Sequence, residues 1–379
     1  MTVVTIDVEA LRRAHASAAE SLPYRHVTDQ FIGGAWRASH STATSPVTDP
    51  ATGEQWGSVP VADSHDVDAA VGAARSALAD WRATTPAHRA ELLRRMADEV
   101  EARAVPLGLT NTLENGSPVA ETSKAAANAA SILRHFAGLA PHLERDDIRP
   151  FPDGVNETVV NRDPIGVCAL IAPWNFPINL VVIKLAPALL AGCTVVMKPA
   201  SPTPLSTRFL VDAAAAAGIP AGVVNFITGN AAAGDALVRH PGVDKVAFTG
   251  STPVGRRIAA ACGELLRPVT LELGGKSSAI VLPDADLDQL RRVLVRSCMR
   301  NTGQTCYIST RILVTPENEA AVVDLVAETI ANSPLGDPLD PATVFGPTAT
   351  AAQETTVRGY IRSGIEEGAR VVAGGDLPN

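Results

Sequence analysis

No stretch of the 379-residue sequence is apolar for the roughly 18 consecutive positions a membrane-crossing helix requires. The opening MTVVTIDVEALRRAHASAAE mixes charged and small residues and has no apolar centre, which argues against a secretory signal and predicts a helical or disordered extension over 1–26. Basic tracts are absent and the formal net charge is −8, so neither nucleic acid nor an anionic membrane is expected as the main partner. Cysteine is scarce: five residues, Cys168, Cys193, Cys262, Cys298 and Cys306, occur singly with no CxxC pair. That pattern disfavours a disulfide scaffold and suits reduced thiols in the cytoplasm. The eight histidines are scattered without ligand spacing, so no metal is expected. There is no internal repeat, and no low-complexity segment beyond alanine-rich helices.

What is present has the balance of a globular enzyme, 46% hydrophobic and 19% charged, and is too long for one ordinary core. The first third reads as helix-rich. From His65 to Trp81, Val67, Ala70, Val71, Ala74, Leu78 and Trp81 recur at intervals of three and four, a single buried stripe. A second helix opens with Thr85 as N-cap and Pro86 at the first helical position, and buries Leu92, Leu93, Met96 and Val100.

The rhythm then changes. Short apolar runs at Gly166–Pro173, Thr194–Lys198, Val223–Gly229, Lys245–Gly250 and Val269–Leu273 alternate with helical stretches at Asn179–Leu190, Pro204–Ala217, Ala231–His240 and Pro253–Cys262. Near-continuous hydrophobic strands separated by helices predict a parallel sheet covered on both faces, an α/β fold that binds ligands at the carboxyl ends of its strands. Between 141 and 163, FPDGVNETVV carries an Asp-Gly pair flanked by β-formers and predicts a hairpin. A further set of α/β units begins near Ser277.

The residues suited to chemistry lie at those strand ends. Cys306, in NTGQTC, sits in a polar, glycine-containing neighbourhood that reads as an exposed turn, whereas the other four cysteines lie in apolar or helical runs and read as core. Glu272, in VTLELGGKS, interrupts a run that reads as a buried strand, where desolvation would raise its pKa and suit it to general-base work. In PWNFP, two prolines fix the backbone around Asn175, whose amide can face a developing oxyanion. Lys198 ends the run TVVMK, from which it can reach a ribose hydroxyl or a phosphate. FTGSTPVG reads as strand, glycine turn and helix, setting Ser251 and backbone N–H groups at a helix N-terminus. It is not a GxGxxG pattern.

PWNFP, KPAS, FTGST, LELGGKS and NTGQTC, in this order, resemble the aldehyde dehydrogenase superfamily. The separations Glu272–Cys306 and Asn175–Lys198 match that family's, and the likeness runs from about Val27 to the end of the sequence through DPATGE, KLAPAL, GIPAGVVN and LGDPLD. The resemblance implies an aldehyde dehydrogenase-like α/β fold. Residues 27–140 and 164–275 would form an NAD(P)-binding domain, 141–163 an oligomerisation hairpin, and 276–379 a catalytic domain. It implies NAD or NADP as cofactor, a small aldehyde as substrate and, in full-length relatives, a homodimer or homotetramer.

Carried over by residue, Cys306 attacks the aldehyde to give a thiohemiacetal, and Asn175 with the Cys306 backbone N–H holds the oxyanion. A hydride passes to the nicotinamide, and Glu272 activates the water that hydrolyses the resulting thioester. Lys198 would bind the adenosine ribose. Gly234, Phe248, Gly250 and Ser251 would shape the dinucleotide site, with Trp174 and Leu273 lining it. The presence of Glu272 favours release of the free acid over acyl transfer to a thiol. Ser201 stands where many NAD-preferring relatives carry a glutamate that repels a 2′-phosphate, which admits NADP. The sequence stops at GGDLPN, where the family continues with a glutamate-phenylalanine-glycine-proline motif and a further strand. Roughly a fifth is thus expected to be missing on length grounds, leaving the catalytic domain incomplete. The rival reading is therefore a folded remnant that binds without turnover.

Overall fold

The computed structural model describes residues 7–144 and 147–374. Helix α1 (Val8–Glu20) is followed by strands β1 (Asp29–Ile32), β2 (Ala35–Ala38), β3 (Thr44–Thr48) and β4 (Gln55–Pro60). Next come α2 (Ser64–Ala83), α3 (Pro86–Glu101), α4 (Ala104–Asn115), α5 (Val119–Thr122), α6 (Ala125–Ala137) and α7 (Ala140–Leu143). The hairpin β5 (Asp147–Pro150) and β6 (Glu157–Val160) leads into an alternating series. That series comprises β7 (Val167–Ile171), α8 (Pro177–Leu190), β8 (Thr194–Lys198), α9 (Arg208–Ala216), β9 (Val224–Phe226), α10 (Ala231–Arg239), β10 (Lys245–Thr249), α11 (Thr252–Glu264) and β11 (Val269–Glu272). The last part holds β12 (Ser278–Ile280), α12 (Leu287–Leu294), a π-helical turn at Val295–Met299, β13 (Arg311–Leu313), α13 (Glu319–Ala331) and α14 (Ala351–Glu366).

The five apolar runs of the middle third are strands of one seven-stranded sheet, ordered β11-β10-β7-β8-β9-β1-β2. Strands β7 to β11 pair in parallel. Alternate side chains of β7 and β8 enter different cores. Cys168, Leu170, Val195 and Met197 pack with α3, α6, α8 and α9, while Val167, Ala169 and Val196 pack with α2, α10 and α11. Both faces of the sheet are therefore covered, which is why the strands read as continuous hydrophobic runs. Starting from β7, the chain winds outward through β8 and β9, then returns to set β10 on the other side of β7. The strand order thus reverses at β7, and a crevice opens beyond the carboxyl ends there.

The two long helices of the first third are as expected. Asp63 caps α2 with a capping box, and the Thr85 hydroxyl accepts from the His88 N–H at the start of α3. Leu92, Leu93, Met96 and Val100 are buried.

The helix-rich reading of this third holds, but it omitted four strands. Strands β1 to β4 occupy its beginning, and β1 pairs antiparallel with β9 to extend the main sheet. Strands β2 and β3 are largely exposed, so they lack the hydrophobic runs that mark β7 and β8. The N-terminal segment is also more than an extension. Helix α1 is docked, with His15 at 3% exposure and Ala19 and Leu22 buried; residues 1–6 lie outside the described set. The hairpin expected over 141–163 is confined to β5 and β6, paired antiparallel, because α7 takes 140–143; residues 145 and 146 lie outside the described set. No helix among the described residues is long and apolar enough to cross a membrane.

Candidate active site

The chain leaves β7 through Pro173 and enters α8 at Pro177, and Trp174, Asn175 and Phe176 form the bend between. This bend is held by side chains remote in sequence. Asn115 Nδ2 donates to the carbonyl oxygens of Trp174 (2.5 Å) and Asn175 (3.3 Å), and Asn301 Nδ2 donates to the Asn175 carbonyl (3.2 Å). Ser117 Oγ donates to Asn301 Oδ1 at 2.5 Å and also bonds the Asn115 side chain. The Asn175 side chain points across to the segment bearing Cys306, where its Nδ2 donates to the Gln304 carbonyl at 2.8 Å.

That segment has an unusual backbone. After the π-helical turn, Asn301, Thr302 and Gly303 all have positive φ, at 54°, 55° and 79°. Two of the three are not glycine, and the left-handed region is costly for them. Hydrogen bonds hold the conformation: Thr302 Oγ1 donates to the Gly346 carbonyl (3.1 Å), Thr305 Oγ1 to the Arg300 carbonyl (3.0 Å), and Gln304 Oε1 accepts from the Ala349 N–H (2.9 Å). Cys306 is presented at the end of this turn. It is exposed, whereas Cys168, Cys193, Cys262 and Cys298 are buried as free thiols.

Glu272 ends β11, next to β10 in register with Thr249. The expectation of a buried carboxylate is not met, because Glu272 is exposed. The reason is position in the sheet. Strand β11 is an edge with only β10 beside it, so its residues alternate between half-buried and exposed.

The sequence reading missed Lys184. This lysine lies on α8, and its Nζ donates to Thr249 Oγ1 (2.6 Å) and to the Leu180 carbonyl (2.9 Å). Burial pulls its pKa down to about 8, while the charges of Glu272 and Cys306 oppose that fall. An ammonium close to both groups belongs to the same site. Its signal in the sequence was the single charged residue of a largely apolar helix, PINLVVIKLAPALL.

The cofactor candidates gather around β8, β10 and α11. Lys198 is 5% exposed, so it is no snorkelling surface lysine. Burial lowers its pKa to about 8, and its Nζ donates to the carbonyl of Pro199 at 3.2 Å, leaving donor capacity for hydroxyl groups. Gly234 lies against the Lys198 stem, and Ser201 Oγ donates to the Gly229 carbonyl at 3.0 Å. A Cβ at Gly250 would clash with Phe248 Cζ, so any other residue here would force that ring to shift. Ser251 is the N-cap of α11 yet makes no side-chain cap bond, which leaves the helix N-terminus free for an anion. Leu273 packs over Gly255 on the same helix, and Trp174 is half-buried. A buried lysine with spare donors, a free helix N-terminus and a turn without side-chain bulk fit a dinucleotide. Among the described residues, no group of His, Cys, Asp and Glu is placed to hold a metal.

The aldehyde dehydrogenase family model matches residues 36–379. The chain belongs to the aldehyde dehydrogenase family. It is 48% identical over 358 residues to a geranial dehydrogenase of Castellaniella defragrans, an alignment covering 94% of this chain and 74% of that protein. It is 39% identical over 346 residues to the NADP-dependent succinate-semialdehyde dehydrogenase of Escherichia coli, covering 91% of this chain and 72% of the relative. Among solved structures, it superposes with a TM-score of 0.87 and 37% identity on a cysteine-to-alanine variant of aldehyde dehydrogenase C from Pseudomonas syringae, complexed with NAD+ and octanal. That match covers 92% of this chain and 71% of the other. The enzyme is thus an NAD(P)-dependent oxidoreductase that acts on aldehydes through a cysteine intermediate.

Proposed function

We propose that Cys306, Asn175 and Glu272 carry the oxidation of an aldehyde to its carboxylic acid. Cys306 Sγ attacks the carbonyl carbon to form a thiohemiacetal, while the Asn175 amide and the Cys306 backbone N–H hold the oxyanion. A bound nicotinamide would supply the hydride acceptor, so that loss of hydride from the carbon would leave a thioester on Cys306. Glu272 then removes a proton from water, the water oxygen attacks the thioester carbon, and the Cys306 sulfur leaves as the acid is released. Exposure of Glu272 on an edge strand suits this role, since the attacking water must reach it. Lys184 holds positive charge beside both groups.

For the dinucleotide, we assign Lys198 and Ser201 to the adenosine ribose. Ser251 and the α11 N-terminus take the pyrophosphate, and Gly234, Phe248, Gly250, Leu273 and Trp174 form the walls. Residues 27–140 and 164–275 would then be the binding domain and 276–379 the catalytic domain. We assign the hairpin within 141–163 to self-association into a dimer or tetramer. Ile148, Phe151, Val155 and Val159 on it are half exposed or more, which supports that assignment. Five free thiols suit the cytoplasm.

The observation that carries the reading is the Asn175–Gln304 hydrogen bond, which sets the amide against the segment presenting the one exposed thiol. Following NAD(P)H absorbance with a panel of aldehydes tests it. We expect turnover in the native enzyme and none in Cys306→Ala; activity surviving in that variant would remove Cys306 as nucleophile.

A further inference from the structure

Arg292, Arg296 and Arg300 recur at intervals of four along one stretch of chain. Arg292 lies in the last turn of α12, Arg296 in the π-helical turn, and Arg300 closes that turn. Residues four apart share a helical face, and all three line one cleft of about 540 Å³, an ordinary size for a small-molecule site. Lys124, at the start of α6, lines the same cleft.

Four cations thus meet a single carboxylate, Glu121, in a protein whose formal net charge is −8. Glu121 is taken by Arg300, which donates to it through Nε (3.2 Å) and Nη2 (2.8 Å). Arg292, Arg296 and Lys124 are exposed, and among the described residues none of them has a carboxylate within ion-pair distance. Neighbouring Arg291, by contrast, is paired with Glu328 at 2.6 Å. Like charges four apart repel each other along a helix, so the row costs stability unless an anion sits against it. Apolar walls at Val295, Met299 and Phe345 focus its field into the cleft.

The inner end of the row is the turn that presents the nucleophile. Asn301, next to Arg300, lines the cleft and donates to the Asn175 carbonyl. Arg300 Nη1 donates at 2.5 Å to the hydroxyl of Tyr307, the residue directly after Cys306, and its guanidinium lies 5.0 Å from the centre of the Phe176 ring. Neither Cys306 nor Asn175 lines the cleft, which places it beside the reacting carbonyl and not around it.

We propose that this cleft recognises aldehydes that carry a carboxylate at the end remote from the carbonyl; the proposal rests on the assignment of Cys306 and Asn175 to that carbonyl. Arg292 and Arg296 offer planar forks that match a carboxylate in two-point hydrogen bonding, with Lys124 as a third charge. Arg300, neutralised by Glu121, marks the inner end, and Val295 and Met299 border the carbon chain. A neutral tail leaves the three unpaired cations in water and gains nothing from them. The row also draws anions towards Cys306 before they bind, an attraction that salt screens.

The test compares kcat/KM for 4-oxobutanoate and 6-oxohexanoate with kcat/KM for their methyl esters, which keep the chain and lose the charge. At low ionic strength we expect at least one acid to lead its ester by about tenfold or more, chiefly through KM. That lead should shrink to within about threefold when Arg292→Gln and Arg296→Gln are combined, in Arg296→Glu alone, and in the native enzyme at about 0.5 M salt. The replaced side chains are exposed, so the core is untouched. An ester preferred by the native enzyme overturns the proposal, as does a lead unchanged in both variants. Equal use of acids and esters removes this inference alone and leaves Cys306 and Asn175 in place. If, with that equal use, inorganic phosphate binds the native enzyme but not the double variant, the cleft belongs to a free anion instead. Failure to oxidise any of the four compounds removes the assignment of Cys306 and this inference with it.

Discussion

Asn175 Nδ2 and the carbonyl oxygen of Gln304 are joined by a hydrogen bond of 2.8 Å, spanning 129 positions of sequence. The bond ties the exit of a central parallel strand to a turn in the last part of the chain. The amide proposed to hold the oxyanion is thereby positioned by the same segment that presents the nucleophile. Asn301 closes the unit, bonding both Ser117 and the Asn175 carbonyl.

Replacement of Asn301 should therefore damage catalysis more than its distance from the chemistry suggests. Asn301→Gly keeps the positive φ accessible but removes both side-chain hydrogen bonds. The expected outcome is a fall in kcat/KM of roughly tenfold to a hundredfold, about 1.4–2.7 kcal/mol. Global stability should change by less than about 2 kcal/mol. Steady-state kinetics alongside thermal unfolding separate the two, and unaltered kcat/KM would show that the turn holds itself.

Separation of the two half-reactions is expected in Glu272→Gln. Water attack needs the carboxylate, but attack by Cys306 does not. Rapid mixing with aldehyde and NAD(P)+ should give a burst of about one NAD(P)H per site, followed by turnover at least about a hundredfold below native. Full steady turnover would remove Glu272 as the base.

Cofactor choice should respond to Ser201. Its hydroxyl is neutral and donates to the Gly229 carbonyl, so nothing at this position repels a 2′-phosphate. NADP is expected to bind within about tenfold of NAD, or about 1.4 kcal/mol, and Ser201→Glu should shift preference towards NAD by tenfold or more. A thousandfold preference for NAD in the native enzyme, measured by titration, would mean that another residue decides.

Stability should fall, through His15, as pH rises past its folded-state pKa, which lies above 6.5. Its Nδ1 lies 2.5 Å from Asp49 Oδ2 and its Nε2 2.8 Å from Asp337 Oδ1, fastening α1 to two distant loops. Burial alone would lower its pKa, but the bonds and charges of the two aspartates outweigh it and raise the pKa above 6.5. A raised histidine pKa stabilises the fold fully below about 6.5, and that contribution is lost as pH climbs through the folded-state value. Thermal unfolding at pH 6 and pH 9 should thus show His15→Gln costing about 2 kcal/mol at the lower pH and clearly less at the higher. An equal cost at both would mean the imidazole is neutral throughout.

Much of this molecule could be read from its sequence. The parallel strands were legible because burial on both faces makes each one a hydrophobic run, and the punctuation between them marks the strand ends where Asn175, Lys198, Ser251 and Glu272 lie. Cys306 stood out from four core cysteines by its polar neighbours alone. Strands β1 to β4 were not legible, because β2 and β3 are largely exposed and carry no hydrophobic run. The exposure of Glu272 was not legible either: a residue's rank within a sheet depends on which strands pair, and β11 is an edge only because β10 is its sole neighbour. The same holds for Lys184, whose charge matters because α8 folds back over the sheet to Thr249. Local chemistry is written in adjacent residues. Burial, partnership and field are set by groups far apart in the chain, and only the tertiary structure brings those together.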